Sequence, residues 1–111
     1  MSLLDPHAFT LATARTLGRT VVRVTGELDA ATAPVLRKAF VDLVEEQGSL
    51  DVVVDVSELS FIDSAGLGVL VAASRKLTNL GGELTLSAPT RAVAKVLQTT
   101  GVDSFFTITR T

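Results

Sequence analysis

Val52-Val53-Val54-Asp55-Val56 is followed closely by Leu59-Ser60-Phe61-Ile62-Asp63-Ser64-Ala65-Gly66-Leu67-Gly68, and these two stretches decide the fold. The first is nearly continuous in valine rather than alternating, the pattern of a strand covered on both faces and central in a parallel or mixed sheet. The second ends in capping residue types and opens a helix. From Ser64 to Asn79, Leu67, Leu70, Val71 and Leu77 recur on one side, and Gly81-Gly82 closes the segment. Glu83-Leu84-Thr85-Leu86-Ser87 then alternates as a strand does, so residues 52–87 read as a β-α-β unit.

Upstream, residues 9–13 alternate weakly and lead to Gly18, and the β-branched run Val21-Val22-Arg23-Val24-Thr25 stops at Gly26, which predicts a two-stranded hairpin. Val35, Leu36, Ala39, Phe40, Leu43 and Val44 then line one face of a helix, with Thr32 as its N-cap and Gly48 as its stop. Downstream, a helix capped by Thr90 carries Val93, Val96 and Leu97 up to Gly101, and residues 105–108 form a short terminal strand. The order ββαβαβαβ predicts a single α/β domain over residues 1–111, a central mixed β-sheet with helices mostly on one face, and right-handed crossovers.

A chain of 111 residues with 47% hydrophobic residues can bury one core of ordinary size. Its apolar run around residues 65–73 is interrupted by Arg75 and Lys76, short of the ~20 residues that span a bilayer, so no membrane insertion is expected. Asp5, Pro6 and His7 stand where a secretion signal needs a basic start and an apolar centre, which points to the cytoplasm. With no cysteine and His7 as the one histidine, neither a disulfide framework nor the usual zinc or haem ligand set can be assembled. A net charge of -2, dispersed basic residues and 5% aromatics argue against direct nucleic-acid binding, and no cofactor is indicated.

The helix start at Asp63 holds the chemistry. A glycine inside a helix costs roughly 1 kcal/mol relative to alanine, so Gly66 and Gly68 both need a reason. Either they let the helix lie close on the sheet, or they clear its first turn for another molecule's backbone. Asp63 and Ser64 are both capping types, and one of them can simply accept the first-turn amides. A phosphate on Ser64 would also sit beside such amides, at the positive end of the helix dipole. Asp63 opposes that phosphate by like charge, so its effect is expected outside the domain.

The motif Asp63-Ser64-Ala65-Gly66-Leu67-Gly68, the upstream Gly26-Glu27-Leu28-Asp29 and the closing residues 97–106 around Gly101 resemble the STAS family, in particular the bacterial anti-sigma factor antagonists. The resemblance implies a partner switch in stress response or sporulation. The unphosphorylated antagonist binds an anti-sigma factor that is also a serine kinase, and the sigma factor is released. The kinase phosphorylates Ser64, and a metal-dependent serine phosphatase reverses the modification. Asp29, Asp63, Ser64, Ala65, Gly66, Leu67 and Gly68 form the implied partner-facing set. Many members carry a second hydroxyl residue where Ala65 stands, which leaves Ser64 as the sole acceptor within this motif. Asp29 reads equally as a turn aspartate ahead of its helix, Leu67 as a core leucine, Glu27 as a solvated charge and Asp55 as structural.

Catalysis fits poorly. Ser64 is not in a Gly-x-Ser-x-Gly elbow, His7 is remote in sequence, and no Gly-x4-Gly-Lys-Ser/Thr loop is present, so the chain reads as a kinase substrate rather than an enzyme. The competing reading keeps the fold and changes the role: a scaffold in a stress-sensing assembly, or the regulatory subunit of a lipid ABC transporter.

Overall fold

The computed structural model describes residues 8–110; His7 and the N-terminal residues before it, on which the localisation expectation rests, lie outside the described residues. Strands β1 (Thr10–Thr16) and β2 (Arg19–Leu28) form the expected hairpin, followed by α1 (Ala33–Val41), β3 (Asp51–Ile62), α2 (Ser64–Asn79), β4 (Glu83–Ser87), α3 (Arg91–Thr100) and β5 (Thr107–Thr109). The five strands lie in sequence order; β1 is antiparallel to β2 and every other neighbouring pair is parallel.

A single hydrophobic cluster holds the sheet and helices together. It joins Val22, Val24, Val52, Val54, Leu84 and Leu86 to Leu36 and Phe40 of α1, Leu70 and Leu77 of α2, and Val93 and Leu97 of α3. Fully burying each such side chain contributes about 1.5–3 kcal/mol. The opposite sheet face is not covered in the same way. Val53 and Asp55 are only half-buried and Arg23 is exposed, which corrects the expectation of cover on both faces. Val53 lies between Val21 and Thr85 in register, so neighbouring strands shield it sideways without a second helical layer.

Other corrections are local. Val35 is 52% exposed instead of facing the core. The first helix passes into a π-helical turn, Asp42–Glu46, before Gly48. Thr32 makes no side-chain cap. Val102–Phe105 is a 3-10 turn, held where the Ser74 hydroxyl donates to the Phe105 carbonyl at 2.6 Å, so the last strand begins two residues later than expected.

The largest departure is the length of β3. It runs past Val56 to Ile62 because two register shifts against β2 absorb extra residues, one between Arg23 and Thr25 and one between Gly26 and Glu27. At the first, the Asp55 carboxylate accepts the Ser57 amide at 3.0 Å; at the second, the Ser60 hydroxyl donates to the Gly26 carbonyl at 2.9 Å. These bulges turn Leu59 and Ile62 into the core and bring β2 and β3 to a common end.

Candidate functional site

At that end Leu28 pairs with Ile62, and the Asp63 amide donates to the Leu28 carbonyl at 3.1 Å. The loop after β2 and the start of α2 therefore meet at the carboxyl ends of two parallel strands, the usual place for sites in open α/β sheets.

Asp63 is the N-cap of α2, with extended backbone, and its Oδ1 accepts the amides of Ala65 at 2.9 Å and Gly66 at 3.1 Å. Ser64 is thereby relieved of capping. Its side chain is exposed, and its hydroxyl makes no hydrogen bond among the described residues. The amides expected to receive a phosphate are not free: a phosphate would have to displace the Asp63 carboxylate to reach those of Ala65 and Gly66.

The two glycines separate the two explanations offered for them. A Cβ on Gly66 would stand 2.7 Å from Leu28 Cγ and 3.0 Å from Ile62 Cγ1, so here the missing side chain lets α2 approach the sheet. A Cβ on Gly68 would meet nothing within 4 Å, and that residue is exposed. Leu67 is 7% exposed and belongs to the core. Of the partner-facing set, Gly66 and Leu67 are thus turned inward, whereas Ser64 and Gly68 lie on the surface with Asp63 and Ala65 half-buried beside them.

Asp29 lies nearby but is engaged in its own loop. Its Oδ1 accepts the amides of Ala31 at 3.0 Å and Thr32 at 3.1 Å, and its carbonyl accepts the Ala33 amide at 2.7 Å. The Thr32 hydroxyl accepts the Asp29 amide at 2.9 Å and donates to the Glu27 carbonyl at 2.9 Å, which accounts for its absence from the cap. Glu27 is exposed. Sequence reasoning overlooked Phe61, which is 46% exposed beside Glu27 in register. An aromatic in a chain with so few was the available signal.

Asp55 lies further down β3, with Arg23 Nε at 3.4 Å; Arg23 also reaches Glu58 at 3.3 Å. Burial raises the Asp55 pKa, but hydrogen bonds from Ser57 and the Arg23 charge outweigh it and hold the carboxyl below its ordinary value. Among the described residues, no three His, Cys, Asp or Glu side chains gather as a metal site, and no helix is long and apolar enough to cross a membrane.

The STAS domain model matches residues 10–111. The chain belongs to the STAS family. Among STAS proteins, the anti-sigma-B factor antagonist of Bacillus subtilis (strain 168) is 34% identical over 87 residues, 78% of this chain and 78% of that protein. The crystal structure of an anti-sigma factor antagonist from Mycobacterium paratuberculosis superposes with a TM-score of 0.85 at 32% identity, covering 98% of this chain and 92% of that one. SpoIIAA, an anti-sigma factor antagonist, has a TM-score of 0.76 in its unphosphorylated form at 28% identity, covering 91% of this chain and 87% of that one. Its Bacillus phosphorylated form has a TM-score of 0.71 at 27% identity, covering 91% and 90%. These STAS relatives are regulatory proteins.

Proposed function

We propose that this chain is a cytoplasmic anti-sigma factor antagonist switched by phosphorylation of Ser64. Unphosphorylated, it binds an anti-sigma factor that is also a serine kinase, through Ser64, Gly68 and the edges of Asp63 and Ala65, with the Asp29 loop beside them. The observation that carries the reading is the exposed Ser64 hydroxyl, left without a hydrogen bond by the Asp63 cap next to it. Its support from relatives is an antagonist known in both phosphorylated and unphosphorylated forms.

In the proposed step, Ser64 Oγ attacks the γ-phosphorus of ATP bound to the kinase, the bond to the β-phosphate oxygen breaks, ADP leaves and the hydroxyl proton passes to a base on the kinase. The product carries about -1.5 to -2 charges. Asp63 already holds the amides of Ala65 and Gly66 and repels the newcomer, so the phosphate stays directed outward, where an incoming partner would have to desolvate it. A metal-dependent serine phosphatase would restore the hydroxyl.

Incubation with ATP and the serine-kinase anti-sigma factors of the same genome, followed by mass spectrometry, tests the reading. Phosphate is expected on Ser64, and none on the Ser64→Ala variant. Absence of modification and of binding by every such kinase, with recovery of the chain in a membrane transporter complex, would instead give it a subunit role.

A further inference from the structure

We infer that the open edge of β1 pairs antiparallel with the β1 of a second copy of this chain, about a two-fold axis through Thr13. The inference does not rest on the phosphoswitch. β1 is an outer strand of the sheet, bonded to β2 alone among the described strands, and all of its residues except Leu11 are exposed. An open edge presents unpaired amides and carbonyls, which proteins blunt by shortness, by proline or outward charge, or by a bulge. At the opposite edge, β5 is blunted by its length of three residues. β1 uses none of these devices. It carries no proline, lysine or acidic residue, and it faces β2 without a register shift from Thr10 to Thr16. Its one charge is turned inward: the Arg15 guanidinium donates to the Ser49 hydroxyl at 3.3 Å, and that hydroxyl lies 3.1 Å from the hydroxyl of buried Thr20 on β2.

The strand's own sequence identifies the occupant. Thr10-Leu11-Ala12-Thr13-Ala14-Arg15-Thr16 reads nearly the same in both directions about Thr13. A two-fold interface sets residue i against j and j against i. Antiparallel pairing about Thr13 therefore sets Thr10 against Thr16, Ala12 against Ala14 and Thr13 against itself. Only Leu11 and Arg15 break the palindrome, and they face one another, so Arg15 never opposes its own copy and its aliphatic stem lies beside Leu11.

The helical side continues the match. Leu11, Thr13 and Arg15 stand in register with Val24, Val22 and Thr20, all buried, which places them on the face that carries the helices. Beside Leu11, Pro34, Val35 and Ala39 of α1 line an apolar groove, with Val35 52% exposed. The groove's rim holds one charge of each sign, Lys38 and Asp42, so this flank has no net charge to repel its own copy. An axis normal to the sheet keeps the helices of both copies on one face and turns the two α1 flanks toward each other. The pair is closed, because the same edge is used by both copies.

Sedimentation velocity of the full chain from about 5 μM to 1 mM tests this: average mass should rise with concentration and level at twice the monomer mass. Thr13→Lys and Thr13→Glu, at an exposed position, each set like charges opposite one another across the axis. Each should weaken association at least tenfold while thermal unfolding shows both folded. An equimolar mixture of the two should associate again as a heterodimer, because Thr13 faces its own counterpart. Thr107→Lys, exposed on the opposite edge, should associate like the parent. A concentration-independent monomer, growth beyond a dimer, a Thr13→Lys variant that associates like the parent, or a mixture no stronger than either variant alone would overturn the inference. So would an equal loss in Thr107→Lys.

Discussion

Helices α2 and α3 both start from an extended residue whose side-chain oxygen accepts first-turn amides, Asp63 from Ala65 and Gly66, Thr90 from Val93. At α3 the same hydroxyl also donates to the Leu59 carbonyl at 2.9 Å, so the cap doubles as a link to β3. At α2 the carboxylate satisfies two amides, and the next residue, Ser64, is left with an exposed hydroxyl and no partner among the described residues. A cap that meets the helix's needs alone frees its neighbour for chemistry, and a switch residue placed there can change charge without disturbing the turn.

The largest effect that would sharpen this contrast is expected at Gly66. Gly66→Ala should destabilise by up to about 2 kcal/mol, because overpacking against Leu28 and Ile62 of ~1–3 kcal/mol outweighs the ~1 kcal/mol gained in helix propensity. Gly68→Ala, with open space around it, should leave stability equal or higher by up to ~1 kcal/mol. Urea unfolding of both variants measures the difference, and equal destabilisation would mean that the second turn is as tightly packed as the first.

Next come the caps. Thr90→Ala should lie toward the upper end of the ~0.5–2 kcal/mol range, since it also leaves the Leu59 carbonyl without its partner, and Asp63→Ala near ~1 kcal/mol. Thr90→Ser should recover most of the loss. Denaturant midpoints in the reverse order would break the distinction between a cap that links and a cap that only satisfies amides.

Asp55, below the bulge that aims Leu59 at Thr90, gives a smaller, pH-dependent effect. Its carboxyl titrates lower in the folded chain than in the unfolded one, so its stabilisation is complete above the unfolded value and disappears as pH falls through the folded value. Asp55→Asn should therefore lower stability at neutral pH and flatten the acid limb of the stability curve below the unfolded carboxyl value, on the order of one titrating group. An unchanged acid limb would remove Asp55 from that account. Smallest of all, Ser64→Ala should alter stability by less than ~0.5 kcal/mol, as for a surface side chain without contacts.

Most of the fold was legible because its elements keep their periods: the hairpin, the alternating β4 and the spacing of Leu70 and Leu77 each lead to the right element. β3 was legible only as far as Val56. Beyond it, two bulges place Leu59 and Ile62 three residues apart on one face of the sheet, a spacing that the strand period of 2 does not give. Valine continuity misled about the second sheet face, since lateral shielding by Val21 and Thr85 imposes much the same demand on Val53 as a covering layer. At the candidate site, residue types identified the helix start but not the division of labour within it. Whether Asp63 or Ser64 caps, and whether Gly66 or Gly68 lies against the sheet, depends on where the chain enters the helix, which here follows from the bond between the Asp63 amide and the Leu28 carbonyl.

The central claim is that charge on Ser64 acts on a partner and not on the fold. Its most direct test is to prepare the Ser64-phosphorylated and unmodified chains and measure, for each, calorimetric affinity for the kinase that modifies it and the thermal unfolding midpoint. The account predicts at least a hundredfold loss of affinity, about 2.7 kcal/mol, with a midpoint unchanged to within about 2 °C. Equal affinities, or a loss of affinity accompanied by a large fall in the midpoint, would contradict it.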